Sequence, residues 1–80
     1  MTHEDGLLAA VVDTWATTLG MDAENVPLDE GFFDAGGNSM LLILLWEELR
    51  ELPGGNGLQA VDLFQHPTAR AQAELLASNT

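Results

Sequence analysis

Apolar positions recur along the chain with the period of a helix, in separate runs divided by stretches where the period is lost. Leu7, Leu8, Val11, Val12, Trp15 and Leu19 fall within an arc of about 140° when successive residues are set about 100° apart. One stripe therefore faces a core, while Asp13 and Thr17 face water. Thr2, with Asp5 three positions on, reads as the start of this helix, and Glu4 and Asp5 stand in the first turn, where the helix dipole favours acids. Gly20 is a natural C-terminal stop.

Across residues 21–37 the period is lost, and Pro27, Gly31, Gly36 and Gly37 punctuate a long connection. Its apolar members, Val26, Leu28, Phe32 and Phe33, are expected to pin it onto the helices. A loop of this length in so small a chain usually serves function. The period returns at Asn38, a good N-cap that puts Ser39 in the first position of a second helix running to about Leu52. Leu42, Leu45, Trp46, Leu49 and Leu52 form its core stripe; Met40, Leu41, Ile43 and Leu44 fall outside that stripe or at its edge. The first turn is thus apolar nearly all round, before the outer face changes to Glu47, Glu48, Arg50 and Glu51. Apolar side chains left outside a core stripe predict a docking patch for a partner. Pro53-Gly54-Gly55-Asn56-Gly57 ends the second helix. A short helical segment over residues 60–65 is expected to carry Val61, Leu63 and Phe64 inward, His66-Pro67 breaks it, and Thr68 caps a last helix through about Ala77. With no strand-like alternation, the pattern predicts an all-α, small four-helix bundle: three main helices, one short one, and a long loop between the first two.

Eighty residues, 46% of them hydrophobic, allow one core, so residues 1–80 are expected to form a single domain. No cysteine is present, which excludes disulfides and thiolate metal sites. Thirteen acids against two arginines, Arg50 and Arg70, give a net charge of -11, which speaks against nucleic acid and anionic membranes and favours basic protein surfaces as partners. No apolar run reaches the ~20 residues of a membrane span, and the N-terminus has no secretory pattern, so a cytoplasmic location is the expectation.

Chemistry concentrates at Phe32-Phe33-Asp34-Ala35-Gly36-Gly37-Asn38-Ser39-Met40. A serine at a helix N-terminus sits where free amides and the positive end of the dipole stabilise an anion. Two glycines upstream remove side chains that would obstruct another enzyme approaching it. His3 and His66 lie far apart without metal-site spacing, and the Asp22-Ala23-Glu24-Asn25 stretch fails as a calcium loop, with Pro27 and Phe33 where glycine and glutamate are needed. Without a cysteine, or a histidine near Ser39 in sequence, there is no sign of nucleophilic catalysis by this chain.

The nine-residue stretch resembles the phosphopantetheine attachment signature of carrier proteins, most closely the Gly-Gly-x-Ser form of peptidyl carriers in nonribosomal peptide synthesis. Asp62-Leu63-Phe64-Gln65-His66-Pro67-Thr68 resembles the Leu-Phe-x-x-Pro-Thr segment of the same family. Two segments in the right order make the resemblance cover nearly the whole chain. It implies a carrier, not an enzyme, with 4'-phosphopantetheine from coenzyme A joined to Ser39 and Gly36, Gly37 and Asn38 as the supporting turn. It implies as partners a phosphopantetheinyl transferase, an adenylating or loading enzyme, and condensation or tailoring enzymes, engaged by a monomeric carrier through Met40, Leu41, Ile43 and Leu44. The cargo is then an aminoacyl or acyl thioester of a secondary-metabolite pathway. Met1 and the end soon after the last helix suggest a stand-alone carrier. The alternatives are a polyketide-type acyl carrier and, from another class, an unmodified acidic helical adaptor. Asn38, where the family often has aspartate or histidine, argues against a fatty-acid carrier, in which Asp-Ser-Leu is usual. Gln72, where leucine is commoner, predicts looser packing of the last helix.

Overall fold

The computed structural model describes residues 3–79. Four α-helices follow one another: α1 (His3–Leu19), α2 (Ser39–Leu49), α3 (Ala60–Gln65) and α4 (Ala69–Ser78), with a 3-10 turn, Ala23–Asn25, in the long connection between α1 and α2. Among the described residues no strand forms; an isolated antiparallel bridge pairs Gly31 with Thr68. The expected all-α bundle with one short helix is the fold observed. The cap expected at Thr2 lies outside the described residues, as do the side chains of His3, Glu4 and Asp5.

The core is built from one face of each helix. Leu7, Val11 and Trp15 of α1 meet Leu42, Leu45 and Leu49 of α2, Leu63 of α3, and Ala69, Ala73 and Leu76 of α4. Each fully buried large side chain contributes about 1.5–3 kcal/mol relative to exposure. α1 packs most extensively on α4, where the small Ala69 and Ala73 let the two helices approach. Asp13 and Thr17 face water, as the stripe requires.

Gln72 does not loosen this contact, contrary to the sequence expectation. It is 1% exposed, and both polar atoms of its side chain are hydrogen-bonded: Trp15 Nε1 donates to its Oε1 at 2.8 Å, and its Nε2 donates to the His66 carbonyl at 2.9 Å. A buried amide with both ends bonded escapes the desolvation penalty that makes lone buried polar groups costly. The pair ties α1 and α4 to the α3–α4 junction.

Three further expectations change. α2 ends at Leu49, not Leu52, because Glu51 N and Leu52 N bond to Glu48 O and Leu49 O, three residues back, and the last turn tightens out of α geometry. In α3 only Leu63 is buried, while Val61 and Phe64 are exposed. A helix of six residues presents one inward position per turn, and the second place in the core is taken by Leu58, just ahead of it. Phe33 is likewise exposed; of the loop's apolar residues, Val26 and Phe32 are buried and Leu28 is half-buried.

The long connection is fastened to the start of α4. Phe32 N donates to Pro67 O at 2.9 Å, Arg70 N to Leu28 O at 3.2 Å, and Arg70 Nε to Asp29 Oδ1 at 2.8 Å. The Asp29 hydrogen bond, and then its charge, hold the Arg70 guanidinium still further into its protonated range. Both partners are largely exposed, so this ion pair adds little stability. The Pro67-Thr68 pair thus supplies both the bridge to the loop and the cap of α4, with Thr68 Oγ1 accepting from Ala71 N at 3.0 Å.

Candidate functional site

Residues 31–38 form a tight turn that delivers Ser39 to the head of α2. Ala35 N donates to Gly31 O at 3.0 Å, Gly36 N to Phe33 O at 3.3 Å, and Gly37 N to Phe32 O at 2.9 Å. Gly36 has φ +112°, a conformation L side chains rarely adopt, which makes glycine the natural residue there. Gly37 is required for a different reason: a Cβ at this position would overlap Cδ2, Cε2 and Cζ of the Phe32 ring. The sequence suggested clear access as the purpose of the glycine pair. The structure adds a turn conformation at one glycine and ring packing at the other.

Asn38 is extended, with φ -142°, and caps α2 through its side chain, Oδ1 accepting from Leu41 N at 2.9 Å. Its carbonyl accepts the first helical bond, from Leu42 N at 2.8 Å. Ser39 follows as the first helical residue and is exposed. In a chain of net charge -11, the first turn of α2 holds no acid. The hydroxyl therefore stands at the positive end of a helix dipole with no carboxylate in that turn, an arrangement that favours a phosphodiester there. A phosphopantetheine joined to Ser39 would lie on the solvent side of the helix start, which suits a flexible arm.

The structure brings Gly36, Gly37, Asn38 and Ser39 together in one turn. Met40 beside them is 74% exposed, Ile43 42% and Leu44 47%. Leu41 is half-buried and packs against the core, since it lies only about 40° around the helix from Leu45. Sequence reasoning missed a second exposed apolar feature. Phe33 and Phe64 stack on one another with centroids 6.1 Å apart and planes at 27°. The clue was positional: each follows a residue, Phe32 or Leu63, that the core claims, so each points elsewhere. Among the described residues no group of three or more histidines or carboxylates is placed to hold a metal ion, and no helix is long and apolar enough to cross a membrane.

Comparison with known proteins finds similarity along most of the chain. The family profile described as phosphopantetheine attachment site matches residues 9–76. The malformin synthetase of Aspergillus niger is 32% identical over 79 residues, covering 99% of this chain and 2% of that protein. A hybrid PKS-NRPS synthetase of Pyricularia oryzae is 38% identical over 71 residues, 88% of this chain and 4% of its own length. A nonribosomal peptide synthetase of Emericella nidulans is 32% identical over 62 residues, 78% of this chain and 3% of its length. The chain spans only a few hundredths of the relatives it matches.

Proposed function

The chain belongs to the phosphopantetheine attachment-site family, whose members bind 4'-phosphopantetheine, and from that premise we propose that it is a non-catalytic carrier modified on Ser39. One observation carries the assignment of the residue: Ser39 is the exposed hydroxyl that the Gly36-Gly37-Asn38 turn places at an acid-free helix start. In the proposed modification a transferase directs Ser39 Oγ at the phosphorus of coenzyme A that bears pantetheine. The new Oγ–P bond replaces the pyrophosphate P–O bond, adenosine 3',5'-bisphosphate leaves with the electron pair, and the hydroxyl proton passes to a base of the transferase. The group's terminal thiol supplies the thioester linkage to an aminoacyl or acyl cargo. The chain's own contribution is to expose the hydroxyl, hold the helix start, and offer partners a surface.

That surface, in this reading, is Met40, Ile43 and Leu44, with Leu41 at its inner edge. It would be engaged by the transferase, an adenylating enzyme, and condensation or tailoring enzymes of a nonribosomal peptide or hybrid pathway. The relatives support that class of pathway, since several of the proteins matched are named as nonribosomal peptide or hybrid PKS-NRPS synthetases. Residues 1–80 act here as one carrier unit, monomeric and cytoplasmic.

Incubation with coenzyme A, magnesium and a broad-specificity phosphopantetheinyl transferase should add one phosphopantetheine mass to the native chain. Ser39→Ala should show no addition while retaining its helical circular dichroism. The exposed apolar residues also suit an adaptor that is never modified, and an unchanged mass for the native chain would select it.

A further inference from the structure

Resting on the reading of Ser39 as the modified residue, we propose that Phe32 is a positioning residue for it: the ring, wedged between Trp15 and Gly37, sets where α2 begins and hence how the Ser39 hydroxyl is presented. Phe32 is fully buried, and its ring meets Trp15 edge to face, centroids 5.1 Å apart at 85°. Trp15 is itself fixed, because its indole N–H is bonded to Gln72, which is bonded in turn to the His66 carbonyl. The Phe32 backbone is held at both ends, N–H to Pro67 O and C=O from Gly37 N–H. The ring therefore stands on a base to which α1, α4 and the α3–α4 junction all contribute.

On its other side the ring faces Gly37 so closely that a single methyl group there would strike three ring atoms. Only Asn38 separates Gly37 from Ser39, and Asn38 has no slack: its backbone is extended and its side chain is committed to Leu41 N. A shift of Gly37 must then pass to the helix start or break the cap. In an interior packed as densely as a protein's, such a shift is transmitted and not absorbed. The Phe32 ring thus works at a distance from the hydroxyl it places.

Two explanations of Gly37 make opposite predictions. If glycine serves only access, a methyl at position 37 weakens transferase binding whatever residue stands at 32. If glycine serves contact with the ring, a smaller residue at 32 relieves the defect. The experiment measures kcat and KM for the carrier as substrate of a broad-specificity transferase, in the native chain, Gly37→Ala, Phe32→Leu and the double variant, each checked for helical content and assayed well below its melting temperature.

Misplacing a reacting group by about 1 Å costs up to about 100-fold in rate. Gly37→Ala is therefore expected to lower kcat by about tenfold or more with KM for the carrier within about twofold, and to shift the Leu41 amide resonance that reports the Asn38 cap. Adding Phe32→Leu to Gly37→Ala should recover most of that loss. An unchanged kcat in folded Gly37→Ala overturns the proposal, as does a loss, in kcat or in KM, that Phe32→Leu fails to relieve. Should Gly37→Ala not fold, Phe32→Leu decides alone: reduced kcat at native KM supports the positioning role, and native kcat overturns it. Failure of the native chain to be modified would instead sink the assignment of Ser39.

Discussion

Gln72 is the residue at which sequence and structure part most clearly. Read along the chain it is a polar interruption in an alanine-rich helix; in the fold it is a junction with both ends of its amide bonded. Its donor, Trp15, lies 57 positions earlier, so no local pattern could announce the pairing. Truncation to Gln72→Ala would strand the buried Trp15 N–H, which costs about 1–3 kcal/mol, and would leave the part-buried His66 carbonyl without this donor. Urea denaturation should accordingly show a loss of about 2–4 kcal/mol. Gln72→Leu restores the volume but still orphans the indole, and should fall between the native chain and the alanine variant. A leucine variant more stable than the native chain would mean that the hydrogen bonds contribute no net stability. The N-cap at Asn38 and the cap at Thr68, by contrast, were legible, because capping is a contact between residues three apart. Thr68→Ala should cost about 1 kcal/mol in the same assay.

At the scale of the elements, the buried face was readable in the long helices and not in the short one, although its bounds, Ala60–Gln65, were. Seventeen residues of α1 give the periodicity room to show which face is buried. Six residues of α3 do not, and there hydrophobicity was mistaken for burial at Val61 and Phe64. The connection between α1 and α2 was recognisable as a loop from its glycines and prolines. Its fastening to Pro67 and Leu28 depends on a bridge closed by the tertiary fold, which no pattern within the loop encodes. α2 separates the two demands made on one helix: Leu45 is 0% exposed on its core face, and Ile43 is 42% exposed on the other. Leu45→Ala should therefore cost about 2–5 kcal/mol of stability. Ile43→Glu should stay within about 0.5 kcal/mol, yet weaken transfer to or from a cognate enzyme by about tenfold or more if burial of that side chain in a partner is worth the usual 1.5–3 kcal/mol before ordering costs. Thermal melts and loading rates on both variants make the comparison. Ile43→Glu that melts early, with Leu45→Ala unaffected, would show the patch to be core.

At the scale of the whole molecule the charge dominates. Thirteen acids face two arginines, and both cations are already engaged: Arg70 with Asp29, Arg50 over the Trp46 ring at 5.0 Å from its centroid. The holo chain, on the carrier reading, should accept an amino acid or aryl acid from an ATP-dependent adenylating enzyme; acceptance of malonyl groups alone, across a panel of loading enzymes, would move the assignment to a polyketide-type carrier. Salt should act on folding and on loading with opposite signs. Raising ionic strength from about 0.01 M to about 0.15 M shortens the Debye length from about 30 Å to about 8 Å. Self-repulsion within an acidic domain is then screened, so its melting temperature should rise. Steering toward a basic docking surface is screened as well, so the second-order rate of loading by a cognate enzyme should fall over the same range while the rate at saturating carrier holds. A loading rate indifferent to salt, measured where the melting temperature does rise, would show that the acidic surface acts on the carrier's own stability alone and that partners are met through Met40, Ile43 and Leu44 without electrostatic guidance.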